Sequence, residues 1–149
     1  MQVFIIGTAL ETAKALDSKR LNKQIVECDQ IFNALSGGKA WKNHPCTLQY
    51  KEHKDWLTCY KNCLLHYKRY LMHDTSEDHL DKARIWNLYA LYYTPKFHNN
   101  DYFDQMKRRL FEKDEEHYKQ WRYLGKSLDN WYFVDDKWVK YRNGKKIIE

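Results

Sequence analysis

Two prolines and five glycines in 149 residues leave this chain few places at which a helix must stop. In a helix interior they cost about 3 and about 1 kcal/mol relative to alanine, so their scarcity favours long helices. The best-marked helix is DSKRLNKQIVECDQIFNAL, Asp17 to Leu35. Asp17 or Ser18 can cap its start by accepting a hydrogen bond from a free backbone N–H, and Gly37-Gly38 supplies the left-handed residue that ends helices. At roughly 100° per residue, Leu21, Ile25, Cys28, Phe32 and Leu35 form one apolar stripe with Ile31 at its edge, and this face is expected in the core.

Ahead of that helix, residues 2–6, QVFII, read as an extended apolar segment buried against the body, and Thr8 to Leu16 as a short helix. After the loop KAWKNHP a helical run extends from Pro45, a residue favoured at the first helical position, to Met72. Leu48, Trp56, Leu57, Tyr60, Leu64, Tyr67 and Leu71 form its apolar side. A turn from His73 to Glu77 leads into a helix ending near Tyr93, before Pro95, with Leu80, Ala83, Trp86, Leu88, Ala90 and Leu91 inward. A further helix runs from Asp101 to Trp121, burying Phe103, Met106, Leu110 and Phe111. From Tyr132 onward the chain is aromatic and basic without a helical period. The expected fold is all-α: a single compact helical domain over residues 1–149, with an extended or partly paired aromatic and basic C-terminal arm.

A net charge of +6 together with 16% aromatic residues suits a polyanion whose bases can be stacked upon. No run of about 18 apolar residues occurs, so no membrane span is expected, and the N-terminal apolar patch has no basic stretch before it to make it a signal peptide. A cytoplasmic monomer is the expectation. Cys28, Cys46, Cys59 and Cys63 form no CxxC pair and are expected to be free thiols, partly buried. Cys59, Cys63 and His66 share a helix face that His44 and Cys46 could complete as a tetrahedral site. Structural zinc ligands come mostly from tight loops, however, and no metal is expected.

The chemical interest lies on the helix from Asp17. Arg20, Lys23, Gln24 and Glu27 fall on one arc beside the apolar stripe, because spacings of three, four and seven return to the same side. One reading is a solvated face in which Arg20 or Lys23 pairs with Glu27 for about 0.3–0.5 kcal/mol. The other is an acid/base carboxylate kept ionised by cations that also hold phosphates. His44 in Asn-His-Pro reads as a hydrogen bonder that fixes its loop, or as a proton carrier or phosphate ligand. Arg108 and Arg109, with Lys113, form either a solvated face or phosphate contacts. Trp131, Tyr132, Trp138 and Tyr141, interleaved with Lys140, either cover the core or stack on bases and sugars.

In order and spacing, several segments resemble the endonuclease V-type pyrimidine-dimer DNA glycosylase family, in its bacterial and phage branch. They are Ala15-Leu16-Asp17, Arg20-Leu21, Lys23-Gln24 and Glu27; Trp41-Lys42-Asn43-His44-Pro45; and Leu110, Lys113-Asp114, Glu116 and Tyr118. Trp138, Lys140, Tyr141 and Gly144-Lys145 resemble the family's Trp-x-Lys-Tyr-x-x-Gly-Lys tail, which lies beside the lesion. The resemblance implies a helical domain that kinks double-stranded DNA, flips a nucleotide, cleaves its glycosidic bond and nicks the abasic strand without metal or cofactor. It also implies an N-terminal α-amine as nucleophile, a group partly neutral at pH 7, forming an imine with the sugar while a carboxylate stabilises the cationic sugar and moves protons.

Two positions depart from the family's better-known enzymes. Gln2 is bulky and should leave Met1 in place, so that the reactive amine is that of Met1. Gln24 stands where those enzymes have their catalytic glutamate in an ungapped comparison, and Glu27 lies one turn later on the same face. Either Glu27 takes the role or the lyase step is lost. The candidate catalytic residues are thus Met1, Glu27 and Gln24, and the candidate DNA contacts Arg20, Lys23, His44, Arg108, Arg109, Lys113, Trp138, Lys140 and Tyr141. The rival readings are a non-catalytic DNA-binding module of the same fold and an enzyme acting on a modified base or free nucleotide.

Overall fold

The computed structural model describes residues 1–72, 77–126 and 129–147. The expected turn from His73 falls at residues 73–76, outside the described residues. Residues 2–5 belong to no helix or strand and Ile6 lies in a bend, and Val3, Phe4 and Ile5 are buried as their apolar pattern requires. Helix α1 (Ala9–Ala15) starts with a capping box: the Thr8 hydroxyl accepts from the Glu11 N–H while the Glu11 carboxylate accepts from the Thr8 N–H.

Helix α2 (Ser18–Leu35) has the expected ends but a different start mechanism. Asp17 occupies the N-cap position, yet its carboxylate caps nothing; it accepts from the Tyr118 hydroxyl and from Arg20 instead. At the other end Gly37, at φ 101°, and Gly38, whose N–H bonds to the Asn33 carbonyl at 2.9 Å, close a Schellman motif. A Cβ on Gly38 would lie 2.7 Å from that carbonyl oxygen.

The run expected from Pro45 to Met72 is two helices, α3 (Pro45–Gln49) and α4 (Lys54–Met72). No proline or glycine marks the break. Its physical reason is Tyr50, which turns inward, stacks on Trp56 at 5.4 Å and shares a 2.8 Å hydrogen bond with His98. Helix α5 (Glu77–Tyr92) packs along α4 through Ala83 and Ala90, but Leu88 and Leu91, expected inside, are exposed. Helix α6 (Asn100–Lys113) is capped by Asn99 and stops eight residues short of the expected Trp121. Beyond it the chain turns so that Tyr118 and Trp121 stack inward at 5.5 Å, the latter on a 3₁₀ helix, Lys119–Leu124.

The expectation of an all-α fold needs correction at the C-terminus. The fold is mainly helical, but the arm is a three-stranded antiparallel meander of β1 (Asn130–Val134), β2 (Lys137–Arg142) and β3 (Lys145–Lys146). Both hairpins are two-residue turns with left-handed central residues, Asp135-Asp136 at φ 53° and 60° and Asn143-Gly144 at 51° and 77°. This is the mirror-image turn whose twist matches paired strands. Tyr132 and Val139, directly paired, are buried on one face.

The outer edge of β1 is covered by side chains rather than by another strand. Gln105 of α6 donates to the Trp131 carbonyl at 3.0 Å and accepts from its N–H at 2.7 Å, and Gln49 of α3 accepts from the Phe133 N–H at 2.7 Å. An amide thus imitates the missing ladder. Gln105→Ala should leave both polar groups of Trp131 without a protein partner and lower stability by about 1–3 kcal/mol, read from urea denaturation.

Candidate functional site

The N-terminus, α2, α6 and the sheet meet around a cavity of about 720 Å³. Met1, Gln2 and Phe4 line one side, and Lys19, Arg20, Lys23, Gln24 and Glu27 of α2 form the floor. Arg109, Glu112 and Lys113 of α6 close the opposite wall, and His44, Asn130, Tyr132 and Gly144 complete the rim. Eight of the candidate residues therefore converge: Met1, Arg20, Lys23, Gln24, Glu27, His44, Arg109 and Lys113.

The arrangement corrects the reading of α2. Gln24 and Glu27 do not lie on an arc facing water; both are buried, and Ile25, Phe32 and Leu35 are only half-buried. The cause is the N-terminal segment, which lies over this face of the helix. The Gln24 amide oxygen accepts from the Phe4 N–H at 2.8 Å and from the Tyr60 hydroxyl at 2.9 Å. Its nitrogen donates to the Gln2 carbonyl at 2.8 Å and to Glu27 Oε2 at 2.7 Å. The Tyr60 hydroxyl has one proton and also lies against the Phe4 carbonyl, so Gln24 is held chiefly by the other three bonds, which tie the N-terminal segment and the Glu27 carboxylate to one point.

Glu27 titrates above the usual carboxylate range, because burial outweighs the Met1 ammonium, Lys23, the Gln2 N–H and Lys113, all of which favour the ionised form. The neighbouring cations do favour the ionised form, as expected, and burial opposes them. Lys113 is pushed down by burial and by repulsion from Lys23 and Arg20. Arg20 is held by Asp17 and the Lys113 carbonyl, each at 3.3 Å, and Arg109 by Glu112 at 3.2 Å and the Asp129 carbonyl at 2.6 Å. Among the described residues Lys19, Lys23 and Lys113 form no close ion pair, although Lys23 and Lys113 act on Glu27 from a distance.

The remaining candidates lie elsewhere. Arg108 donates to the Leu124 carbonyl at 3.0 Å and borders a second cavity, of about 410 Å³, with Trp131 and Trp138. Adjacent in sequence, Arg108 and Arg109 thus serve different faces. Lys140 lies over the Trp131 ring at 5.4 Å, and Tyr141 stands edge-on behind Tyr132 at 5.5 Å. The four cysteines are buried free thiols. Lys19, Glu112 and Asn130 were missed by the sequence reading, and only the one-turn spacings of Lys19 from Lys23 and of Glu112 from Arg109 pointed to the first two.

The matched family accounts for one side of this cavity. Residues 1–69 match the family model for pyrimidine dimer DNA glycosylase. No curated protein and no solved structure matches the chain. The matched stretch carries the N-terminal segment, α2 and His44, whereas α6 and the sheet, which close the cavity, lie beyond it.

Because the folded state holds the Glu27 proton more tightly than the unfolded chain does, this group favours the fold at low pH. That contribution is lost as pH rises from the ordinary value of 4.5 through the raised one. Wild-type stability should therefore fall relative to that of Glu27→Gln as pH rises through this window, measured by urea denaturation at a series of pH values. The opposite slope would mean that the cations outweigh burial.

Proposed function

We propose that the protein is a DNA glycosylase acting on pyrimidine dimers in duplex DNA, with the cavity at its N-terminus as active site. The observation that carries this is the meeting of the chain's α-amine with a buried carboxylate in a cationic cavity: the amine's charge acts directly on Glu27. The match over residues 1–69 supports the same substrate class.

The neutral Met1 amine attacks the sugar C1′ as the bond from C1′ to pyrimidine N1 breaks, and the bonding pair leaves with the base. Glu27, ionised, stabilises the cationic sugar and then takes the proton released by the new C–N bond. Its raised pKa brings it closer to the operating range of a group that both accepts and returns a proton. Glu27 returns that proton to O4′ as the sugar ring opens to a protonated imine; it then takes the C2′ proton, whose bonding electrons flow toward the imine as the C3′–O bond breaks and the 3′ phosphate departs with that pair. Lys19, Lys23 and Lys113 meet the phosphates, with Arg20 and Arg109 fixed beside them. Gln24 acts as a positioning residue, since it holds both the segment that carries the amine and the carboxylate. The aromatic and basic face with Trp131, Trp138 and Lys140 provides a second contact with the duplex.

Borohydride should trap a covalent adduct on dimer-containing and abasic duplexes, because reduction fixes the imine. Blocking the α-amine by acetylation should abolish trapping, and Glu27→Gln should slow single-turnover cleavage by about 10²–10⁴-fold with little loss of duplex affinity. Persistent trapping by the acetylated chain would transfer the nucleophile's role to a lysine.

Duplex affinity should fall steeply with salt. Replacing Lys19, Lys23 and Lys113 together by Ala should flatten the slope of log K against log salt by about 0.9 for each phosphate that is no longer neutralised. A slope equal to that of the wild type would remove these lysines from the interface.

A further inference from the structure

His44 is tied to its backbone in a way that fixes which ring nitrogen carries the proton. As the N-cap of α3 it accepts the Cys46 N–H on Nδ1 at 3.1 Å. An acceptor at Nδ1 requires the neutral ring to carry its proton on Nε2. Protonating the ring would set one N–H against another and break the cap. Burial, and the charge of the Met1 amine, disfavour the imidazolium in the same sense. Two rings hold the imidazole in place: Trp41, edge-on at 5.8 Å from a left-handed backbone at φ 64°, and Tyr132, edge-on at 6.2 Å. A bulky residue in that conformation costs of order 1–3 kcal/mol, so the placement of Trp41 beside the ring is maintained against strain. Among the described residues Nε2 has no partner, and the ring lines the same cavity as Met1 and Glu27.

Resting on the glycosylase reading, we infer that His44 is a catalytic hydrogen-bond donor, whose Nε2–H meets the O2 carbonyl oxygen of the departing pyrimidine. The chemistry calls for such a group. When the bond from C1′ to N1 breaks, its electron pair spreads from N1 onto O2, one carbon away, and this charge forms close to the attacking amine. Glu27 and the amine serve the sugar; neither can stabilise a developing anion on the base while ionised carboxylate and nucleophile face C1′. A neutral N–H donor held in advance does so without transferring a proton, and the base takes its proton from water after release.

The cap provides the means of testing this. Asparagine is among the best N-caps, so His44→Asn keeps an acceptor for the Cys46 N–H while removing the ring, whereas His44→Ala removes both. Thermal unfolding should leave the Asn variant near wild type and shift the Ala variant downward. Nitrogen NMR of the wild type should show His44 protonated on Nε2 alone. In single turnover on dimer duplex the Asn variant should be slower by about 10²–10³-fold. On a preformed abasic duplex, which has no base to expel, its deficit in borohydride trapping should be at least about tenfold smaller. Dimer cleavage at the wild-type rate, or equal deficits on both substrates, would overturn the inference. A wild type inert towards both would overturn the glycosylase reading itself, and the inference with it.

Discussion

The cavity depends on one amide. Gln24 is buried on α2 and uses both donors and its amide oxygen to hold residues 2–4 and Glu27. A chain terminus ordinarily frays, because nothing offsets the entropy of ordering it. Here the burial of Val3, Phe4 and Ile5 stabilises the ordered state, each side chain contributing about 1.5–3 kcal/mol. The amide sets the register in which that burial occurs. Apolar burial alone would tolerate a slip of the strand; hydrogen bonds to the Gln2 carbonyl and the Phe4 N–H do not.

Glutamine recurs in this role. Gln49 and Gln105 are buried like Gln24, and each joins a helix to non-helical backbone. A helix satisfies its own backbone and has nothing left to offer an extended neighbour, so a mainly helical body can receive an extended segment only through side chains able to donate and accept at once. The Gln2 amide adds a direct link, donating to Asn130 at 3.1 Å, so that the N-terminal segment and β1 border the cavity as one wall.

Much of the helical framework was legible in the sequence because capping and periodicity are local. The end of α2 at Gly37-Gly38 and the start of α3 at Pro45 are examples. The break at Tyr50 was not, since its cause is stacking on Trp56 and a bond to His98, neither of which leaves a mark on the four residues that turn. The sheet was partly legible: Asn143-Gly144 is a strong hairpin signal, passed over in favour of an arm, while Asp135-Asp136 adopts two left-handed residues without glycine. The convergence of Met1 with Arg20, Lys23 and Glu27 followed from the family resemblance and the helical spacing. The burial of Gln24 and Glu27 did not. A wheel of α2 assigns polar residues to water, and the segment that covers them lies about twenty residues earlier in the chain.

That burial places opposed demands on Glu27. A carboxylate surrounded by cations in water would be a weak base, its proton held too loosely to be of use near neutral pH. Taking the same group out of water raises its basicity at a cost in stability, and the terminal ammonium, Lys23 and Lys113 limit how far it rises. The cations that line the cavity thus keep a buried carboxylate from becoming a permanently protonated acid. Lys113 is subject to both demands, pushed down by burial and its cationic neighbours and up by Glu27.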